Sequence, residues 1–384
     1  MKSSAMIETS IAGYYRMSLL LAAAIVAIGF YFYLRQLDAG LRITGLGRDV
    51  AWGLYIAQFT VAEGLAAAAI VVLVPLYVHG AAEFEPIALP GVLLAIAGIV
   101  MCICFIVADL GQPSRVFNVI LHPTPWSMMF WDLVFLGGYL LLNTAIAVGL
   151  LQVRRTGFTP PAWLRPVVLV SLPWGFAVHT VTAFLFSGLP GHPFWNTAIL
   201  APRFLASAFA TSSALLLLLC VALRGLAGSK SEAVVIRKLA LVMTYAAILS
   251  LFLMLPELFS ALYGQLPGHA APWNLLYQAT QLAPFMWLSI GCLVAAVGLR
   301  LAPSSAERWA VLVLSAVLTV LGIWLDKGLG FVVAGFAPTP TGGDPVYAPT
   351  IQEWAITAGI WGVGALILLI AGRVALAAGW ERRA

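Results

Sequence analysis

The stretch DLGQPSRVFNVILHPTPWSMMFWD, residues 109–132, sets two carboxylates, a guanidinium and an imidazole into an otherwise apolar neighbourhood. Asp109, Arg115, His122 and Asp132 are groups that take up, release or compensate protons, and an imidazole does so near neutral pH. Further ionisable residues lie inside apolar runs elsewhere, Glu63, His179, Arg203, Glu257 and Asp326, and Lys327 directly follows the last of these. Metal chemistry has less support. Cys102, Cys104, Cys220 and Cys292 form no CxxC pair, which argues against an iron–sulfur cluster or structural zinc. No second histidine lies well inside an apolar run to join His179 as a bis-histidine haem ligand. GLGRD at 45–49 precedes an apolar run rather than opening a βαβ unit, so no phosphate loop is expected.

The elements that must position these groups follow from composition. The 384 residues are 62% hydrophobic and 9% charged, and the mean hydropathy is +1.00. A soluble domain carries about a quarter charged residues, so the chain belongs in a lipid bilayer. Ten apolar runs are each long enough to cross about 30 Å of hydrocarbon as a helix: 15–35, 51–77, 87–108, 127–150, 167–188, 202–224, 239–264, 280–300, 308–326 and 353–376. The predicted fold class is an all-α integral membrane protein with ten transmembrane helices. The first run lacks a small-residue cleavage site and is read as a retained helix.

Orientation follows from Lys and Arg. With a cytoplasmic N-terminus, Lys2, Arg16, Arg154, Arg155, Arg165, Arg224, Lys230, Arg237, Lys238, Arg300, Arg308, Arg373, Arg382 and Arg383 fall inside. Arg35, Arg42, Arg48, Arg115, Arg203 and Lys327 fall outside. The positive-inside rule then places both termini in the cytoplasm. The pI of about 9.1 reflects this bias and does not indicate a nucleic-acid partner. The expected location is the bacterial cytoplasmic membrane, with the lipid bilayer as the first partner.

In this orientation Asp109, Asp132, His179, Arg203, Glu257, Asp326 and Lys327 lie in the outer third, and Glu63 lies near the bilayer centre. A charge at that depth costs at least about 2.5 kcal/mol and is a functional candidate by default. Singly, each has a plainer reading. Asp109 could cap its helix and pair with Arg115. Arg203 and Lys327 could snorkel to the interface. His179 could be a hydrogen-bonded core histidine, and Trp126, Trp131, Trp195, Trp273 and Tyr277 an aromatic belt. Their collection on one side points instead to a cavity opening outward. Asp132, Tyr139 and Asn143, spaced by 7 and 4, share one helix stripe, as do Ser250 and Glu257. With Glu63 they outline a polar path leading inward.

At DLGQPSRVFNVILHPTPWSMMFWD, LPGHPFWNTAILAPRFLASAF and LDKGLG the chain resembles the NrfD/polysulfide-reductase membrane subunits. Within that family it is most similar to the ten-helix DsrP-type subunits of the Dsr electron-transfer complexes of sulfur metabolism. The resemblance implies two four-helix bundles, helices two to five (51–188) and six to nine (202–326), flanked by the first and last helices. It implies a quinone-reactive subunit using menaquinone or ubiquinone, without haem or an iron–sulfur cluster of its own. Its partners would be an extracytoplasmic, ferredoxin-like iron–sulfur subunit and the other redox subunits of a complex. Asp109 and Asp132 correspond to the residues that flank the quinone, and low dielectric would lead paired carboxylates to share a proton. Arg115 or Arg203 would compensate charge, and His122 and His179 would shuttle protons.

The competing classes are a proton- or solute-coupled secondary transporter, which would carry its polar groups at the midplane, and a structural anchor, which has no need of buried acids. The topology is directly testable. Alkaline phosphatase fused after Arg115 or Trp195 is expected to be active, whereas fusions after Arg155 or Arg300 are expected to be silent. The reverse pattern would invert the assignment of sides.

Overall fold

The computed structural model describes residues 2–156, 160–224, 230–264, 267–278, 282–302, 308–340 and 342–377. Arg382 and Arg383, counted above as cytoplasmic, and most of the 302–308 connection lie outside these residues. Ten helices are long and apolar enough to cross a membrane, and the described residues contain no strand. In lipid every backbone N–H and C=O must be satisfied within the chain, which leaves helices as the solution for continuous apolar runs. The spans are α1 (Gly13–Ala39), α2 (Leu54–Val78), α3 (Ala82–Asp109), α4 (Met128–Arg155), α5 (Leu164–Ser187), α6 (Leu200–Ala222), α7 (Ala233–Gly264), α8 (Ala283–Leu301), α9 (Trp309–Ala334) and α10 (Ile351–Arg373).

Two of these helices are irregular where sequence alone suggests continuity. In α2 the regular helix stops at Leu65 and resumes at Ala68, with Ala66 N donating to Glu63 O at 3.0 Å. In α9 the helix expected to end at residue 326 instead widens into a π-turn, Asp326–Gly330, and continues through Phe331–Ala334. Gly328 supplies the non-helical backbone there, with φ −80° and ψ −119°. Helix irregularities of this kind cost hydrogen bonds and are concentrated at functional positions.

α2 is the central helix and is almost wholly buried, packing on α3, α6 and the wide turn of α9. Gln58 Oε1 on α2 accepts the indole N–H of Trp324 (α9) at 3.1 Å and of Trp361 (α10) at 3.0 Å. Thr60 Oγ1 donates to Lys327 O at 2.8 Å and so takes up a carbonyl at the break in α9. α3 packs on α4 and α10, α4 on α5, and α5 on α6. α6 in turn meets α7 and α9, and α8 meets α9. α1 lies at the periphery against α10.

The connecting residues 40–53, 110–127, 188–199, 267–278 and 342–350 lie at one end of the molecule, here termed the long-loop end. An aromatic plug fills its centre. Trp195, fully buried, stacks on Trp52 with ring centres 5.5 Å apart and meets Phe186, Phe331 and Phe336 edge-on or tilted. Trp195 Nε1 donates to Phe331 O at 3.1 Å, and His192 Nδ1 is 2.7 Å from Gly335 O. Trp195 and Trp273 are therefore core residues rather than belt residues, whereas Trp126 is exposed. Gly335 permits this packing, because a Cβ there would come within 1.9 Å of Trp195 Cε2. Gly335→Leu is expected to lower stability by about 1–3 kcal/mol through overpacking, read as an earlier thermal midpoint in detergent.

Candidate functional site

Two charged clusters are buried beneath the aromatic plug. In the first, Glu63 on α2 accepts Lys327 Nζ through Oε2 at 2.8 Å and shares a short hydrogen bond with His179 Nδ1 through Oε1. Lys327 also sits 4.0 Å from the centre of the Phe204 ring, a cation–π contact. In the second, Arg203 on α6 holds Glu257 Oε2 of α7 through Nη1 and Asp326 Oδ1 of α9 through Nη2, both at 2.7 Å. Arg203 is 7% exposed and Lys327 4%. Both are thus interior ion-pair partners and neither snorkels. Tyr277, at the end of the short helix Pro267–Tyr277, is held as a neutral phenol by burial first and by nearby Asp326 second.

Asp326 and Lys327 are consecutive, and the wide turn directs one into each cluster. Two fixed cations then face three carboxylates, so one additional proton makes the linked network neutral. His179 adjoins this network: its Nδ1 is committed to Glu63, and its Nε2 is buried without a hydrogen-bond partner. Glu257 Oε1 is likewise buried and unpartnered. Isolated charges are not tolerated in such an interior, so the groups must compensate one another.

Asp132, near the start of α4, joins this system from the long-loop end. Its Oδ1 accepts Thr182 Oγ1 at 2.7 Å. Thr182 lies three residues from His179 on the same face of α5, and Glu63 is an acidic neighbour of Asp132. Tyr139 and Asn143 continue below it on α4 and are both buried; Asn143 Nδ2 donates to Tyr139 O at 2.9 Å while its Oδ1 has no partner. Ser250 is buried on α7, two turns from Glu257.

Asp109 has different surroundings. It ends α3 with Oδ1 buried and unpartnered, and its acidic neighbour is Glu353 of α10 rather than Asp132. Among the described residues no hydrogen bond or ion pair joins Asp109 to Asp132. The expected carboxylate pair is replaced by two separate acids, because α3 turns Asp109 toward α1 and α10 while Asp132 faces α5. Arg115 and His122 lie on the connection, among exposed Phe117, Ile120, Leu121 and Trp126. Neither of them, nor Arg203 with its two carboxylates, forms an ion pair with Asp109 or Asp132 among the described residues.

Sequence reading passed over Glu353, which is fully buried. Its Oε2 accepts Gly45 N (2.7 Å) and Thr350 N (2.8 Å), and its Oε1 accepts Tyr347 OH (2.6 Å). Tyr347 OH in turn accepts Leu54 N at 2.7 Å. Burial, and then the adjacent carboxylate, hold the Tyr347 phenol above its ordinary range, so it remains a donor. The available signal was an acid in the first turn of an apolar span. Among the described residues no group of three His, Cys, Asp or Glu side chains is arranged to hold a metal ion.

Residues 42–335 match the family model described as polysulphide reductase, NrfD. The chain belongs to the NrfD family. A protein of Halobacterium salinarum, provisionally named as a membrane subunit of dimethyl sulfoxide reductase, is 27% identical over 90% of this chain and 88% of its own length. A selenate reductase subunit of Mesobacillus selenatarsenatis is 24% identical over 90% of each chain. The Hdr-like menaquinol oxidoreductase integral membrane subunit of Archaeoglobus fulgidus is 23% identical over 52% of this chain and 48% of its own. The chain is thus similar along most of its length to membrane subunits of reductase complexes.

The ion network makes a sharp prediction. Lys327→Met strands the Glu63 carboxylate and is expected to cost about 3–5 kcal/mol of stability. The double variant Lys327→Met with Glu63→Gln is expected to recover much of that loss. Equal thermal midpoints for the two variants would show that the pair is not coupled.

Proposed function

We propose that the chain is the quinone-reactive membrane subunit of a multi-subunit oxidoreductase, built as two four-helix units, α2–α5 and α6–α9. In this reading it exchanges electrons between menaquinol or ubiquinol and an iron–sulfur subunit seated on the long-loop end. The observation that carries the reading is the buried, unpartnered Oδ1 of Asp109 at the end of α3, in a chain of the NrfD family. The name of the Archaeoglobus relative, a menaquinol oxidoreductase subunit, supports the same reading.

Oxidation of a quinol releases two protons and two electrons. Asp109 accepts one hydroxyl proton through Oδ1. Asp132 accepts the other, with His179 and Glu63 beyond Thr182 as the next groups able to take it up, while the electrons leave to the iron–sulfur partner. Tyr139, Asn143, Ser250 and Glu257 extend the proton path, and Arg203 keeps Glu257 and Asp326 compensated. Arg115 and His122, close to the exposed Trp126, serve the docked partner rather than the head group. The complex is read as one of sulfur metabolism in the bacterial cytoplasmic membrane, with support from the similarity of the three motifs to DsrP-type subunits.

A transporter reading draws on one observation, the two broken helices α2 and α9 that meet at Glu63 and Lys327, since secondary transporters bind their cargo at such breaks. Inhibition by a quinone analogue separates the two readings. In the intact complex Asp109→Asn and Asp132→Asn are each expected to lower quinol-coupled turnover by about 10²-fold or more, the scale of general acid–base catalysis. Unchanged turnover in both variants would overturn the site assignment.

A further inference from the structure

α1 and α10 cross at Gly29 and Gly359, where a Cβ on Gly29 would lie 2.5 Å from Gly359 Cα. α10 then meets α3 at Gly364, where a Cβ would lie 2.4 Å from Met101 Sδ. α10 therefore backs both helices, but α1 and α3 share no packed face among the described residues. Between them lies a cleft of ≈ 240 Å³ lined by Val26, Tyr33, Cys104, Val107, Ile356 and Ile360 among others. Its walls are almost entirely apolar.

At the end of the cleft nearest the long loops, Gln36 bridges the gap. Its Nε2 donates to Ala108 O at 2.7 Å, and its Oε1 accepts Tyr55 OH at 2.6 Å. Tyr55 lies within electrostatic reach of Asp109, Glu353 and Tyr33. Val107 and Ala108 both belong to the cleft wall, and the next residue is Asp109, whose Oδ1 is buried and unpartnered. An apolar channel thus ends at a set of phenol, amide and carboxyl groups.

We propose that this cleft seats the isoprenoid tail of the quinone, with its head group beyond Gln36 at Asp109. The proposal rests on the quinone reading above and adds the route by which the ligand is held. The cleft suits a tail rather than a head, because quinone oxygens placed among these walls would lose their hydrogen bonds. It suits a prenyl chain rather than a phospholipid, because the charged groups within reach of Tyr55 at its end are the carboxyls of Asp109 and Glu353. A phosphate brought there would meet like charge, whereas a neutral quinone ring would find hydrogen-bonding partners.

The test uses the full chain in its complex, with Cys102, Cys220 and Cys292 replaced by alanine, and follows alkylation of Cys104 by a membrane-permeant maleimide. A prenylated quinone is expected to slow the reaction at least tenfold. A tail-less quinone with the same ring is expected to leave it unchanged while still inhibiting quinol oxidation. Equal slowing by phospholipid alone would overturn the proposal in favour of a lipid acyl chain. Inhibition by the prenylated quinone without protection of Cys104 would overturn the tail route and leave the quinone reading intact. No inhibition by either quinone would overturn the reading beneath it. As a second measurement, Val363→Trp, at the half-buried lip of the cleft, is expected to raise KM for the prenylated quinol about tenfold and not for the tail-less one. An equal effect on both would overturn the tail route as well, since it would indicate general damage.

Discussion

Everything at the centre of this molecule depends on the placing of two consecutive, oppositely charged side chains in a helix that is not allowed to remain regular. Neighbours in sequence on a helix project about 100° apart, so these two side chains face different partners. The wide turn of α9 carries both. It sends Asp326 to Arg203 and Lys327 to Glu63, and so ties α2, α5, α6, α7 and α9 through charge-assisted hydrogen bonds. The backbone groups loosened by the turn are taken up locally, one of them by Thr60. Hydrocarbon gives such groups no alternative partner, which makes the arrangement all-or-none.

This design has a functional corollary. Asp132 lies near this network, held by Thr182 on the face of α5 that also carries His179. Asp109 stands outside that network, beside Glu353. The two acids that look equivalent in sequence thus occupy different electrostatic settings, one tied to the interior relay and one to the α1–α10 side.

The ten spans could be read from hydropathy because the bilayer enforces length and composition on every crossing. Glu63 and His179 could be singled out because a buried ionisable group is conspicuous against apolar neighbours. Their partnership could not be read, since Glu63 and Lys327 are 264 residues apart and no periodicity links them. DKGLG carried the glycines that permit the wide turn, but a charged pair at an expected helix end looks like an interfacial anchor. Glu353 was hidden for a related reason: an acid in the first turn of a helix has an ordinary local explanation. Its partners Gly45 and Tyr347 come from two different loops. Trp195 resembled a belt residue because nothing in its local sequence shows that neighbouring loops cover it.

The pairing of α1 with α10 also governs how the molecule can be made. A chain entering the membrane from its N-terminus presents α1, α2 and α3 long before α10 exists. During that interval Gln36, Tyr55 and Asp109 lack Glu353 beside them, and the loop that carries Gly45 has no carboxylate to hold it. α10 thus completes the surroundings of an acid carried by a much earlier helix, Asp109 of α3.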